Sequence, residues 1–149
     1  GCITAEEMTR RFWEAAVRGG YCGHGETYLH PDDILWWAKG GVLHGQSPAR
    51  IAFLRRVLEQ GPADGHEPLD GVVEHNWPCV GKAGEYYLAY FGVHQPRQAA
   101  LNLPDGAVFA GEVLDTWNMT VSAITQPLHG RVAIALPAQP YCALRVWRA

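Results

Sequence analysis

The helical pattern stops at residue 62. Two segments before it place apolar residues every three to four positions, and none after it does. From residue 85 onward, apolar and aromatic residues come in short runs: 85–92, 98–103, 108–117, 119–124, 131–136 and 141–147. Turn chemistry closes them, in Pro104-Asp105-Gly106, Gln126-Pro127 and Pro137-Ala138-Gln139-Pro140. Short strands at roughly ten-residue spacing predict an antiparallel sandwich or barrel. The back half is therefore all-β, and the front half has to be explained separately.

The front half opens with a well-signalled helix at 5–18. Thr4 stands at the N-cap with Glu7 three residues on, which is the capping-box spacing, and Ile3 and Met8 occupy the staple positions. Met8, Phe12, Ala15 and Ala16 form the apolar stripe, and Gly19-Gly20 ends it. A second helix is predicted at 48–60, with Ser47 as N-cap, Pro48 in its first turn, a stripe of Ile51, Leu54, Val57 and Leu58, and Gly61-Pro62 as the stop. Between the helices, Tyr21-Cys22-Gly23 reads as a brief buried strand. It runs into a polar loop and then an aromatic element, Ile34-Leu35-Trp36-Trp37. Residues 63–84, rich in Pro, Gly, Asp and His, read as a connection with a loose extended portion. One short strand cannot cover two amphipathic helices, because a parallel β/α unit needs neighbouring strands. Together with a first residue that is Gly and the lack of a signal peptide, this predicts a piece of something longer.

Composition narrows the function classes. The chain has 149 residues, 48 % hydrophobic and 18 % charged, with a formal net charge of −3 and 12 scattered Lys and Arg. That is enough to bury a real core, and it offers no basic surface for nucleic acid or anionic membrane. No apolar run reaches the roughly 18 residues that a membrane span needs. The four cysteines contain no CxxC pair, so a zinc ribbon or thioredoxin motif is not expected; buried thiols are favoured, and one or two disulfides stay open. No nucleophile elbow, phosphate loop or dinucleotide fingerprint occurs, and no cofactor is called for.

Four stretches carry a resemblance: TAEEMTRRFW (4–13), GGYCGHGETY (19–28), ILWWAKGG (34–41) and HGQSPARIAFLRRVLE (44–59). Together they resemble the last segment of TIM-barrel glycoside hydrolases often described as endoglucanases or cellulase-like enzymes. YYLAYFG (86–92) and EVLDTWNMT (112–120) resemble the β-sandwich appended to such enzymes. The resemblance implies an α+β chain: the truncated end of a (β/α)8 barrel, helix–strand–helix, over 1–62, a connection at 63–84, and a small antiparallel β-sandwich over 85–149. It implies a parent enzyme that hydrolyses a β-linked glycan. The paired carboxylates that such hydrolysis needs would precede Gly1, so no catalytic residue is assigned within the chain. The partners implied are an oligo- or polysaccharide and the rest of the barrel.

On that reading His24, Glu26, Tyr28, Trp36, Trp37 and His44 line the sugar-binding rim, because barrel active sites form at the C-terminal ends of strands. Glu26 follows a Gly-rich turn, where an exposed acid can meet sugar hydroxyls; a loop carboxylate capping backbone N–H groups is the plainer alternative. His24 and His30 flank it, but their spacing matches no metal signature, and a hydrogen-bonding role for His24 is favoured over a metal. Trp36 and Trp37 offer flat faces for sugar C–H groups, although adjacent residues on an extended segment point opposite ways. Trp77, Trp117 and Trp147 are read as packing residues rather than a binding platform. The alternative functions are a sandwich that binds carbohydrate or a protein surface, and one that only caps the barrel.

Overall fold

The computed structural model describes residues 3–23 and 45–149. Helix α1 spans Ala5–Ala16 and α2 spans Ser47–Glu59. Eight strands follow: β1 (Glu67–Pro68), β2 (Cys79–Lys82), β3 (Tyr86–Tyr90), β4 (Gln98–Asn102), β5 (Phe109–Asp115), β6 (Thr120–Leu128), β7 (Arg131–Ala135) and β8 (Cys142–Arg148). Six of them form one sheet in the order β1-β2-β3-β8-β5-β6, while β4 and β7 pair as a separate two-stranded sheet. Every strand pairing among the described residues is antiparallel.

Strand alternation gives the large sheet two buried faces. One face carries Tyr87, Ala89, Cys142, Leu144 and Val146, which pack with Ala99, Leu101 and Ile134 of the two-stranded sheet. The other carries Val80, Tyr86, Leu88, Tyr90, Leu114 and Ala143, and there the helices settle through Trp13, Val17, Phe53, Leu54 and Val57. The result is three layers: helices, large sheet, small sheet. It explains why β3 is apolar or aromatic at every position, since a central strand buried on both sides cannot alternate with polar residues.

This architecture overturns the expected fold class. The described residues form a β-rich domain carrying two helices, not the truncated end of a (β/α)8 barrel. Tyr21–Gly23 takes no strand, and the Tyr21 side chain is fully exposed. Among the described residues no strand pairs with these three, which follow a left-handed Gly19 (φ 75°). The large sheet covers Trp13 and Val17 of α1 and Phe53, Leu54 and Val57 of α2, while Phe12, Ala16, Ile51 and Leu58 of the expected stripes stay only partly buried. Part of the burial that the front half lacks in sequence is thus supplied by the back half. Residues 63–84 contribute two strands of that sheet, β1 and β2, and a short 3-10 turn at Glu74–Asn76.

Local signals hold at the ends of the elements. Thr4 caps α1, its hydroxyl accepting from the Glu7 N–H at 3.2 Å. The Glu7 carboxylate does not complete the capping box; it takes Arg10 and Arg11, each at 2.7 Å. The Gly20 N–H donates to the Ala15 carbonyl at 2.8 Å and closes the helix where the glycine pair predicts. The cap of α2 is Gln46, one residue before the expected Ser47.

Candidate functional site

His24, Glu26, Tyr28, Trp36, Trp37 and His44 all lie outside the described residues. Of the other aromatic candidates, Trp77 packs edge-on to Phe91 (5.3 Å between centroids) on the face covered by the small sheet. Trp147 packs on the helical face. Trp117 lies beneath the Arg50 guanidinium at 3.6 Å. With Trp77 and Trp147 on opposite faces of one sheet, the three do not form a single platform.

A concavity of about 370 Å³ opens where the C-terminal end of α2 overhangs the large sheet. Its walls follow from register. On β8, Arg145 and Trp147 alternate with the core residues Leu144 and Val146, so both face the helices. The β5–β8 pairing sets Glu112 opposite Arg145, and the β3–β8 pairing sets Tyr86 opposite Trp147. Gln60, Gly61 and Pro62, which end α2, form the rim with Glu85.

Arg145 organises this site. Its Nε donates to Glu112 Oε2 at 3.0 Å, Nη2 donates to the same oxygen, and Nη1 donates to Gln60 Oε1 at 2.6 Å. The guanidinium side chain is only 12 % exposed, so the carboxylate balances a largely buried charge and fixes the fork in one orientation. Tyr86 is buried, and its hydroxyl has no hydrogen-bond partner. Burial raises its ionisation above the usual phenol value, opposed by the nearby Arg145, so the phenol remains a neutral donor. On the outer side, Glu85 shares Lys82 with Asp64, at 3.4 and 3.0 Å.

Two further features have a different character. An apolar groove of about 200 Å³ runs between α1 and α2, lined by Phe12, Ala16, Tyr21, Ile51 and Leu58 among others. Asp115 closes the β5–β6 turn: it accepts from the Trp117 and Asn118 N–H groups at 3.1 and 2.9 Å and from the Gln139 amide at 2.7 Å. That network accounts for the acid as a turn former. Among the described residues no cluster of three or more His, Cys, Asp or Glu side chains is placed to hold a metal.

Sequence reasoning placed Tyr86 only within a strand, read Trp147 as a packing residue, and missed Arg145, Glu112 and Gln60. The signal was an Arg set between the apolar residues Leu144 and Val146 of β8. A charge in a strand buried on both sides needs a partner, and Glu112 on the neighbouring strand is that partner.

Residues 75–147 match the model of a family described as a domain of unknown function (DUF5605). No curated protein matches the chain. Among solved structures, a candidate glycoside hydrolase from Bacteroides vulgatus superposes over 100 % of this chain and 33 % of its own, with a TM-score of 0.82 and 25 % identity. A second structure, described as a glycoside hydrolase, covers 97 % of this chain and 37 % of its own, with a TM-score of 0.70 and 13 % identity. A glycoside hydrolase family 5 structure from Bacteroides vulgatus covers 96 % and 36 %, with a TM-score of 0.69 and 11 % identity. The chain thus spans about a third of the length of the glycoside hydrolases it resembles. The last two, at low identity, speak for the fold alone.

Proposed function

We propose that this chain is a non-catalytic, glycoside-hydrolase-associated domain. It works beside a catalytic portion that carries the acid pair and cleaves a β-linked glycan. The observation that carries this reading is the match of the whole chain, helices included, to one third of a candidate glycoside hydrolase. The partners on this reading are that catalytic portion and an oligo- or polysaccharide.

The electrostatics of the described carboxylates support a non-catalytic role. A general acid needs a carboxyl whose protonation is favoured near neutral pH. Glu7 is instead held down to about 2 by Arg10 and Arg11, and Asp64 is held below its ordinary value by Lys82. Glu112 is committed to Arg145 and Glu14 to Arg10. Glu7 and Asp64 are thereby held ionised rather than poised as proton donors.

The test is a reducing-sugar assay of the purified chain on β-linked glucan, xylan and mannan. No turnover is expected. Steady release that Glu26→Gln abolishes would overturn the reading and return catalysis to this chain.

A further inference from the structure

We propose that the cavity beneath the end of α2 is a binding subsite for a neutral saccharide, read by Arg145, Gln60, Tyr86 and Trp147. The choice of a glycan rests on the glycoside-hydrolase association proposed above. The choice of a neutral one rests on the site itself.

The volume of about 370 Å³ lies at the small end of the roughly 300–1,000 Å³ range of small-molecule sites. Its charges cancel. Glu112 neutralises Arg145, and the only other charged residue on the wall, Glu85, is itself an anion. A phosphate or carboxylate ligand would therefore meet no uncompensated cation. A lipid tail would meet a guanidinium, two carboxylates and an amide. What the walls do offer is a set of oriented donors and acceptors beside an indole. Sugars present that same combination, hydroxyls around the ring edge and C–H groups on its face.

The Tyr86 hydroxyl strengthens the assignment. A buried donor without a partner is costly, and of the six such side-chain atoms among the described residues only the Tyr86 hydroxyl belongs to a residue that lines this cavity. Tyr86 is 6 % exposed, lines this cavity, and is near enough to Arg145 to feel its charge without a hydrogen bond of normal geometry. The phenol oxygen is enclosed, so a sugar hydroxyl reaches it as the neighbouring side chains shift and then accepts from both the phenol and the guanidinium. Gln60, held by Arg145 through its oxygen, keeps its amide N–H groups for the ligand.

The experiment is an NMR titration of the whole chain with four probes: cellotetraose, xylotetraose, mannotetraose and, as an anionic control, tetragalacturonate. Side-chain resonances of Trp147, Arg145 and Gln60 are followed. At least one neutral tetrasaccharide is expected to shift all three at about 10 mM or below, with the anion silent. Gln60→Ala lies on the exposed rim and Tyr86→Phe keeps the ring, so both variants should fold. Each is expected to weaken binding about two- to tenfold, the worth of one hydrogen bond.

Tyr86→Phe separates this role from a structural one. A purely structural hydroxyl would change the melting temperature and leave affinity alone. Flat titrations with all three neutral probes, an anion shifting the same resonances, or unchanged affinity in both variants would overturn the subsite. Any of these could occur while the chain still lacks hydrolytic activity, so the subsite and the accessory-domain reading fail separately.

Discussion

Thr9 Oγ1 and Trp13 Nε1 of α1 and the Tyr90 hydroxyl of the large sheet are buried side-chain polar atoms without a partner. Trp13 and Tyr90 stack at 5.4 Å, and burial pushes the Tyr90 phenol well above its ordinary value. Packing, not hydrogen bonding, therefore fixes this contact. Tyr90→Phe deletes only the unsatisfied hydroxyl, so it is expected to leave stability unchanged or raise it by up to about 1 kcal/mol in urea denaturation. Gly81 is the opposite case. Its φ is 155°, and a Cβ there would stand 1.9 Å from the Tyr86 carbonyl oxygen. Gly81→Ala must push β2 off β3, and a loss of about 3 kcal/mol or more is expected in the same measurement. The thiols follow burial as well. Cys79 is raised to about 12 and Cys142 to about 11. Both should resist thiol reagents at pH 8 in the native chain and react once denaturant exposes them.

At the scale of elements, α1 depends on its first turn. Glu7 sits near the positive end of the helix and binds two arginines, and its folded value of about 2 lies below the ordinary 4.5. A depressed carboxylate contributes stability that is fully present above the unfolded value and lost as pH falls through the folded one. Acid should therefore weaken the chain between about pH 4.5 and pH 2. Glu7→Gln should flatten that limb of the stability–pH profile, as followed by urea midpoints across the window.

The elements were legible in sequence where a local rule operates: the Thr4 cap, the Gly19-Gly20 stop, and the strands from residue 85 onward. They were illegible where a partner decides. Cys79–Lys82 is too short and mixed to announce a strand, and it becomes one because β3 supplies a ladder. Gln126-Pro127 reads as a closing turn, yet β6 runs through it to Leu128. β6 is an edge strand, and the register slips between Phe109 and Gly111 opposite this stretch, so a proline lacking its N–H is accommodated there. The cavity was hidden for the same reason. Glu112 and Arg145 are 33 positions apart, and only the β5–β8 register brings them together.

For the whole molecule, the decisive fact is which surface covers the helices. The sequence alone makes them look like staves of a missing barrel, because their apolar stripes have no counterpart nearby in the chain. The second face of the large sheet is the counterpart for Trp13, Val17, Phe53, Leu54 and Val57, whereas Phe12, Ala16, Ile51 and Leu58 line the groove between the helices. Trp13, fully buried against Phe53 and Tyr90, is a central contact of that interface. If helices and sheet form one cooperative unit, Trp13→Ala should cost about 3–5 kcal/mol and lower the stability of both layers together. Helical and sheet signals, read as amide exchange protection in α1 and in β8, should then fall by the same free energy. Were β8 protection to stay at its wild-type value while α1 alone lost protection, the sheet would be shown to fold without its helical cover. Residues 5–16 and 47–59 would then belong to a separate folding unit, as the barrel expectation required.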